Sequence, residues 1–196
     1  MKLYYAPRTR AVRPRWLLEE LGVPYELVRL DLAAQEHRAP AYLALQPLGE
    51  LPYFVDGELA LFDSATICVY LADRFPEKGL APPASTPDRA RYHQWIAFAE
   101  GHLEPAVMQV LAPDASADDA AKARHRAAAL ERLALVDAAL ADREVLVGDH
   151  FTVADLLMTA VLHRAFHAKL LDERPRLVDY VKRHAGSPAS RRAVAD

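Results

Sequence analysis

Asp63 and Ser64 lie where a short strand pattern gives way to a helix pattern that ends at Phe75. The first turn of a helix has unpaired backbone N–H groups that attract anions, so this junction can hold a carboxylate. Leu51 precedes Pro52 and is therefore expected to be extended, and an extended backbone edge can bind a peptide by strand addition. The two features together indicate a binding site for a small anionic peptide.

Each feature also has a purely structural interpretation. Asp and Ser are favoured N-caps, so Asp63 and Ser64 can serve only to start the helix. Leu51-Pro52 can likewise be a plain turn that leads into the following strand, because an X–Pro bond is cis in only about 5% of cases. The residues alone leave both interpretations open.

Length, charge and hydropathy restrict the class of protein. The chain has 196 residues, 52% of them hydrophobic, and a formal net charge of -3. This size suits one large domain or two small ones, and without a basic excess neither nucleic acid nor an anionic membrane is expected as a partner. The N-terminus lacks the apolar core of a signal peptide and no apolar run reaches membrane-spanning length, so we expect a cytoplasmic protein. The basic runs Arg8-Thr9-Arg10 and Arg13-Pro14-Arg15 are interpreted as a solvated face.

Cysteine and histidine offer little metal chemistry. Cys68 is the single cysteine, which excludes an internal disulfide framework and a multi-cysteine metal cluster. Its helical spacing with Leu71 and Ala72 predicts a core position. His163 and His167 share a helix face, but a metal site needs a third ligand that the sequence does not supply, so we expect no metal.

Residues 1–80 predict elements in the order β-α-β-α-β-β-α. The predicted elements are a strand at 2–5, a helix at 13–21, a strand at 25–30, a helix at 40–45, strands at 53–55 and 59–61 joined by Asp56-Gly57, and a helix at 63–75. Pro14 is tolerated only in a first helical turn, so the first helix begins somewhere between Arg10 and Pro14.

A proline-rich stretch at 76–87 separates this pattern from a wholly helical one. The predicted helices cover 88–111, 118–141, 152–170 and 176–184, with a short one after Pro188. Thr152 and Asp155 fit a capping box, which we ascribe to folding rather than to chemistry.

Four motifs, in this order and spacing, resemble the cytosolic glutathione transferases, in particular bacterial members with a serine or threonine in the N-terminal domain. The motifs are WLLEELGVPYE at 16–26, QPLGELP at 46–52 followed by DSATI at 63–67, QWIAFA at 94–99, and GDHFTVAD at 148–155. The resemblance covers nearly the whole chain. It implies an α+β fold with a thioredoxin-like glutathione-binding domain at 1–80, a linker at 81–87 and an all-helical domain at 88–196.

The resemblance implies an enzyme of detoxification that uses glutathione as co-substrate and conjugates its thiolate to small apolar electrophiles. Positioning and thiolate stabilisation suffice for such a reaction, and no metal is required. Two alternatives remain open. One is a non-catalytic glutathione-fold protein that serves as a binding or regulatory module, and the other is a glutathione-dependent peroxidase or isomerase that uses the same thiolate.

The resemblance also assigns the residues that hold the γ-glutamyl and cysteinyl parts of glutathione. It implies a cis bond between Leu51 and Pro52, and it implies that the N–H and C=O of Leu51 pair with the central residue of the tripeptide. Ser64 would hold the γ-glutamyl carboxylate, and Asp63 would lie near the ligand's amino group.

The glycyl end of glutathione is assigned to other residues. His37 matches a position that contacts the glycyl carboxylate in some classes, although a lone histidine in a loop is more often simply solvated. Glu50 stands where related classes commonly have a lysine. That difference leaves His37 or Arg38 to supply the cation.

The catalytic step needs a thiolate, and a free thiol with a pKa of about 8.5 is mostly protonated at neutral pH. Thr9 aligns with the serine that many classes use two residues after a proline, here Pro7, and would donate a hydrogen bond to the glutathione sulfur. Arg10, Tyr4 and Tyr5 are the alternatives. Arg10 occupies the position of the cysteine in cysteine-using classes, so disulfide exchange through a protein thiol is not expected.

The electrophile pocket and the oligomeric state are also implied by the resemblance. The expected pocket walls are Pro7, Arg8, Trp95, Phe98, His102 and Met108. Aromatic and methionine side chains at helical spacing are, however, also typical of a protein core. A homodimer is expected, and the apolar faces predicted at 63–75 and 88–111 give a physical reason for it.

Overall fold

The computed structural model describes residues 1–111 and 118–195, so the predicted helical domain at 88–196 includes residues 112–117 and 196, which lie outside the described part. The chain forms two compact units. The first unit comprises Met1–Lys78 and the chain from Ser187 onward, and the second unit comprises Gly79–Gly186. Among the described residues, none of the helices combines the length and the apolarity needed to cross a bilayer.

The first unit is built on a four-stranded mixed sheet with the order β2-β1-β3-β4. The strands are β1 (Lys2–Tyr5), β2 (Glu26–Arg29), β3 (Tyr53–Asp56) and β4 (Leu59–Phe62). Strands β1 and β2 are parallel, whereas β3 is antiparallel to both of its neighbours. Gly57, with φ of 60°, supplies the left-handed residue of the tight turn between β3 and β4.

Three helices precede the second unit along the chain. They are α1 (Val12–Leu21), α2 (Pro40–Leu43) and α3 (Ser64–Arg74), with short 3-10 turns at Glu36–Arg38 and Pro76–Lys78. Helix α1 begins within the interval that Pro14 predicts, and it ends at Gly22, whose φ of 65° lets its N–H bond the carbonyl of Leu18. The predicted β-α-β-α-β-β-α order is confirmed, and so is the buried position of Cys68 on α3.

One end of the sheet collects several chain segments. Tyr5 pairs with Arg29 in the parallel ladder, so the residues after β1 and β2 leave the sheet at the same end. Tyr53 pairs with Tyr4 on one side and with Phe62 on the other. The residues that precede β3 and those that follow β4 therefore lie at this end as well. We call it the site end of the sheet.

The described part of the second unit contains helices and no strand. Its helices are α4 (Pro87–Phe98), α5 (Glu104–Leu111), α6 (Asp119–Ala139), α7 (Val153–His167) and α8 (Pro175–Ala185). The predicted single helix at 88–111 is divided by a π turn at Ala99–Leu103. Pro105 accounts for the wider turn, because its ring cannot bond to the carbonyl of Gly101 and needs room beside it.

The capping box at the start of α7 is confirmed. Asp155 is fully buried and accepts hydrogen bonds from the N–H of Thr152 at 2.9 Å and from its hydroxyl at 3.0 Å. It also accepts from the N–H of Leu146 at 2.8 Å and from the hydroxyl of Tyr180 at 2.7 Å. Asp155 therefore ties the start of α7 to α8 and to the segment before α7.

Helix α9 (Pro188–Val194) is the last described helix and belongs to the first unit, whereas its residues were predicted to lie in the helical domain. Helix α9 packs on α1. Arg192 forms an ion pair with Glu19 at 2.6 Å, and the hydroxyl of Ser187 donates to Glu20 at 3.0 Å. Contacts between the two ends of the chain leave no periodic signal in the sequence, so the return of α9 could not be predicted.

Candidate functional site

Asp63 and Ser64 follow β4 at the site end of the sheet. The sequence left open whether these residues cap the helix or bind a carboxylate, and their positions in the structure differ in this respect. Asp63 is the N-cap of α3, and its carboxylate accepts from the N–H of Thr66 at 2.8 Å. Its φ of 72° lies in the left-handed region, which is uncommon for a residue with a side chain. Ser64 is the first residue of α3 and only 2% exposed. Because Asp63 caps the helix, the side chain of Ser64 is not needed for capping.

Arg13, on the first turn of α1, contacts Ser64. Its Nη1 donates to the Oγ of Ser64 at 3.3 Å, and the Arg13 side chain is only 1% exposed. The interpretation of the basic run as a solvated face is therefore wrong for Arg13, and it is also wrong for Arg15, which is buried with its guanidinium 4.7 Å from the ring centre of Tyr5. Both faces of α1 are covered, by α3 and by α9, and long arginine stems can be buried along apolar surface.

Leu51 and Pro52 lie directly before β3, next to Asp63 and Ser64 according to the pairing of the strands that carry them. The peptide bond between Leu51 and Pro52 is cis, as predicted. Within the described part of the chain, the N–H and C=O of Leu51 form no hydrogen bond. A donor and an acceptor on an extended backbone thus remain available beside a helix N-terminus.

Thr9 lies in the segment between β1 and α1 and is half-buried. Its hydroxyl donates to the carbonyl of Ala6 at 2.7 Å and accepts from the N–H of Ala11 at 3.3 Å. The hydroxyl proton is thus held within the loop, and it must turn away from Ala6 before it can be donated to a ligand. The neighbouring Arg10 is exposed.

The two tyrosines of β1 have neighbours that fix their positions. Tyr5 is buried beneath Arg15. The ring of Tyr4 lies 5.7 Å from the rings of both Tyr42 and Tyr53. Burial, followed by the neighbouring phenols, raises the pKa of Tyr42. These contacts give both tyrosines of β1 a packing role.

His37, Arg38 and Glu50 lie in two segments that contact each other ahead of Leu51. The guanidinium of Arg38 donates to the carbonyl of Leu48 at 2.8 Å. His37 is half-buried, and its Nδ1 is enclosed without a hydrogen-bond partner among the described residues. Glu50 is exposed, and its carbonyl accepts from the hydroxyl of Tyr42 at 2.6 Å.

A cavity of about 480 Å³ opens at the site end of the sheet, where β1 and β2 end. Its lining residues are Ala6, Pro7, Arg29, Leu30, Asp31, Leu32, Ala33 and Glu36. Pro7 was predicted to line a pocket, whereas the segment after β2 was not predicted as part of the site. The carboxyl ends of parallel strands are a common place for ligands, and this was the available sequence signal. Arg8 is exposed and has φ of 62°.

The remaining predicted pocket walls belong to the second unit. The ring of Phe98 lies 5.7 Å from the ring of Trp95 and stacks on His102 at 5.8 Å, so the three form a row along α4 and the π turn. None of the three is buried. The sulfur of Met108 lies 3.9 Å from Nη1 of Arg164, and Met108 is also partly exposed. The rings of Trp95, Phe98 and His102 thus lie at the surface of this unit rather than in its core.

His163 and His167 lie on α7, with ring centres 4.6 Å apart. Burial, followed by the nearby His167 and Arg164, lowers the pKa of His163. No group of three or more histidine, cysteine, aspartate or glutamate side chains that could hold a metal ion occurs in residues 1–111 or 118–195.

Both units match known protein families. The N-terminal domain of glutathione S-transferase matches residues 1–73, and the C-terminal domain of glutathione S-transferase matches residues 99–188. Glutathione S-transferase 3 of Zea mays is 32% identical to the chain, covering 100% of this chain and 93% of that protein. Glutathione S-transferase GstA of Escherichia coli O157:H7 is 29% identical and covers 100% of this chain and 98% of that protein.

A solved structure shows the same architecture. The glutathione S-transferase of a sphingomonad, complexed with glutathione, has a TM-score of 0.86 and 29% sequence identity, and the match covers 99% of this chain and 97% of that one. The chain has a thioredoxin-like sheet with a helix N-terminus beside a cis-proline, and a helical unit follows it along the sequence. This is the architecture of a glutathione-dependent protein with two domains. The chain belongs to the glutathione S-transferase family.

Proposed function

We propose that this protein is a transferase that conjugates the thiolate of glutathione to small apolar electrophiles. Membership of the glutathione S-transferase family supports the reaction. The observation that carries the proposal is the junction of Leu51 with Ser64, where a free backbone edge lies beside a buried hydroxyl at a helix N-terminus. A tripeptide with an anionic γ-glutamyl end fits that junction.

Each end of glutathione has its own group of residues in this proposal. Leu51, held by Pro52, pairs with the cysteinyl backbone, while Ser64 and the free N–H groups of α3 bind the γ-glutamyl carboxylate. Asp63 lies near the ligand's amino group, to which its carboxylate is complementary. The first unit is thus the glutathione-binding domain, and the second unit is the helical domain that accompanies it.

In this proposal, the glycyl end of glutathione binds the segment of His37 and Arg38 and the segment at 48–50, which contact each other before Leu51. His37 and Arg38 supply positive charge there. Glu50 is exposed, so its carboxylate can remain in water while its backbone carbonyl holds Tyr42. Affinity for the glycyl carboxylate then depends on the basic residues rather than on position 50.

The thiol is activated by Thr9 in this proposal, with Arg10 as the second candidate. A hydroxyl that donates to sulfur favours the thiolate, and so does a guanidinium close to it. A tyrosine is disfavoured in this role, because Tyr4 packs against Tyr42 and Tyr5 packs beneath Arg15. Thr9 has to exchange its bond to Ala6 for a bond to the sulfur.

The side chains proposed to contact the electrophile are exposed or partly exposed within their own units. Pro7 borders the cavity of the first unit, and Arg8 is exposed beside it. In the second unit, the ring row at Trp95, Phe98 and His102 provides aromatic surface of the kind that apolar ligands require. Met108 adds an adaptable apolar side chain.

A non-catalytic glutathione-binding module is the second candidate, and the bond between Thr9 and Ala6 favours it, because that bond occupies the hydroxyl proton. A conjugation assay with glutathione and an activated chloroarene separates the two functions. We expect product formation that saturates with glutathione. Binding of glutathione without conjugation, and without turnover of an organic hydroperoxide, would instead establish the module. Turnover of the hydroperoxide alone would establish a peroxidase.

We also propose a homodimer in the cytoplasm, the compartment in which reduced thiols are maintained. Phe62 is 62% exposed on the edge strand β4 and can pack against a second copy. Sedimentation of Phe62→Ser should show a shift toward monomer. Val194→Ser, at an equally exposed residue of α9, is the matched control and should leave the dimer intact. A wild-type protein that sediments as a monomer would contradict the proposal.

A further inference from the structure

The cavity at the site end of the sheet lies next to the residue proposed to activate the thiol. Its lining includes Ala6 and Pro7, and the hydroxyl of Thr9 donates to the carbonyl of Ala6 at 2.7 Å. All of its lining residues belong to the first unit. Its volume of about 480 Å³ is typical of a site for a small organic molecule. A sulfur held by Thr9 would therefore lie at the edge of a cavity that can take the electrophile.

Three charged side chains line this cavity, and two of them, Asp31 and Glu36, are engaged by the loop that follows β2. The Oδ1 of Asp31 accepts from the N–H of Ala33 at 2.8 Å and from the N–H of Ala34 at 3.1 Å. The Oε2 of Glu36 accepts from the N–H of Asp31 at 2.7 Å. These backbone donors hold both carboxylates to the loop, so the two acids have a structural role in shaping it.

Arg29 is the third charged side chain, and it differs from the two acids. It is the last residue of β2 and is exposed. Its guanidinium has no hydrogen-bond or ion-pair partner in residues 1–111 and 118–195. A guanidinium offers N–H donors in a planar arrangement that matches a carboxylate. Arg29 is thus a charged donor that remains available to a ligand in the cavity.

We propose that Arg29 is a specificity-determining residue, which selects electrophiles that carry a carboxylate on an apolar body for the reaction with glutathione. This assignment rests on the proposed function, because it needs the glutathione sulfur at Thr9. The apolar body contacts Pro7 and the leucines of the lining, whereas the carboxylate pairs with Arg29. One positive and two negative side chains give the lining a net charge of -1. The pairing therefore depends on the free donors of Arg29 at hydrogen-bond distance rather than on net charge.

Three electrophiles that differ in the charge of one substituent test this assignment. Each is an ortho-nitrochlorobenzene that carries, para to the chlorine, a carboxylate, a carboxamide or an aminomethyl group. In each reaction the glutathione thiolate forms a C–S bond at the carbon that bears chlorine, and chloride leaves with the electron pair of the C–Cl bond. The anion preference is the kcat/KM for the carboxylate divided by the kcat/KM for the carboxamide, each relative to the uncatalysed rate.

Removal of the charge at position 29 should lower the anion preference. An ion pair that stays partly solvated stabilises a complex by up to about 5-fold in affinity. Arg29→Met should therefore lower the anion preference by about 5-fold. The loss should appear in KM more than in kcat, because Arg29 holds a group that is remote from the reacting carbon.

Two further variants and a control isolate the charge. Arg29→Lys keeps the positive charge and should keep most of the anion preference, whereas Arg29→Glu should shift the preference to the aminomethyl compound. Lys2→Met is the matched control, because it also removes one positive charge from the sheet. Lys2 begins β1 at the end away from the cavity and pairs with Glu26 at 3.2 Å. The control should keep the anion preference of wild type.

The outcomes separate this assignment from the proposed function. If wild type conjugates the three compounds and Arg29→Met keeps its anion preference, or if wild type prefers the aminomethyl compound, the assignment is overturned. An equal loss with all three compounds, together with a raised KM for glutathione, would assign Arg29 to glutathione and would overturn it as well. If wild type conjugates none of them, the proposed function itself fails. Should Arg29→Met not fold, Arg29→Gln takes its place with the same expected loss.

Discussion

Arg13, Leu17 and Leu21 lie four residues apart and form one stripe of α1, and all three are buried. The sequence contained this signal, because residues at that spacing share a helix face. The charge of Arg13 concealed it. At the scale of single residues, the cis bond of Leu51-Pro52 could be predicted from the family resemblance, and the N-cap at Asp63 could be predicted from its residue type. A buried charge could not, because its environment comes from other elements.

Gly49 shows how a residue without a side chain can shape the site. Its φ is 62°, and a Cβ there would lie 2.7 Å from the carbonyl oxygen of His37. We predict that Gly49→Ala lowers the free energy of unfolding by about 3 kcal/mol, from a left-handed strain of about 1–2 kcal/mol and a backbone clash. It should also raise the Kd for glutathione, because His37 and Arg38 are displaced. Urea denaturation and calorimetric titration measure the two effects.

Gly57 provides the control for backbone strain alone. It has φ of 60°, and a Cβ there would meet nothing within 4 Å. Gly57→Ala should therefore cost only about 1–2 kcal/mol and leave glutathione affinity unchanged. Equal effects of the two substitutions on stability and affinity would show that the contact between Gly49 and His37 does not shape the site.

At the scale of elements, the sequence predicted which segments are helices or strands but not how a helix is interrupted. Periodicity carries through residues 88–111, and Pro105 was visible, yet the π turn at Ala99–Leu103 was missed. A proline shows that a helix must adapt, but the surrounding contacts decide whether it bends, ends or widens. The capping box of α7 was predictable because its residues are local in sequence.

Asp155 should be among the residues that contribute most to the free energy of unfolding of the second unit. Its buried carboxylate holds the N-terminus of α7 and the hydroxyl of Tyr180. Replacing it by alanine leaves buried donors unpaired, and we predict a loss of about 3–5 kcal/mol in the free energy of unfolding. Urea denaturation followed by circular dichroism measures the loss.

Asp118 is the matched control for that prediction. It is the N-cap of α6, where its carboxylate accepts from the N–H of Ala121 at 2.7 Å, and it is exposed. Asp118→Ala should cost only about 1 kcal/mol, as expected for a solvated cap. If Asp155→Ala lowers the free energy of unfolding by no more than Asp118→Ala does, burial of the Asp155 capping box adds nothing to stability, which would contradict the prediction.

At the scale of the whole molecule, the α+β architecture was predictable, because the change from strands to helices and the proline-rich stretch are visible along the chain. The place of α9 was not. Its residues follow the helical pattern of the second unit in sequence, but α9 packs on α1, and its residues Ala189 and Ala193 are buried. Each unit has its own core, so each should have its own response to pH.

Stability of the second unit should decrease in mild acid. Burial lowers the pKa of His184 below the unfolded value of about 6.5. As the pH falls through that value, the unfolded chain binds more protons than the folded one, so protonation favours unfolding. The stabilisation present above about pH 6.5 is lost as the pH approaches the folded pKa. Urea denaturation between about pH 7.5 and about pH 5.5 should show this decrease.

His184→Gln should reduce that decrease, because glutamine does not titrate and can still donate to the carbonyl of Glu144 that His184 approaches at 3.3 Å. His93→Gln, at an exposed position of α4, is the control and should respond to pH as wild type does. A pH dependence that is the same in all three proteins would exclude His184 as its source.

The ultraviolet difference spectrum of bound glutathione against pH, with S-methylglutathione as the blank, tests the central claim of an activated thiol most directly. We predict a thiolate signal that persists well below the free-thiol pKa of about 8.5, is lost in Thr9→Val and is retained in Thr9→Ser. A signal that survives in Thr9→Val would transfer the role to Arg10. Glutathione that binds to wild type and titrates like the free thiol would contradict thiol activation, and with it the assignment of this protein as a transferase.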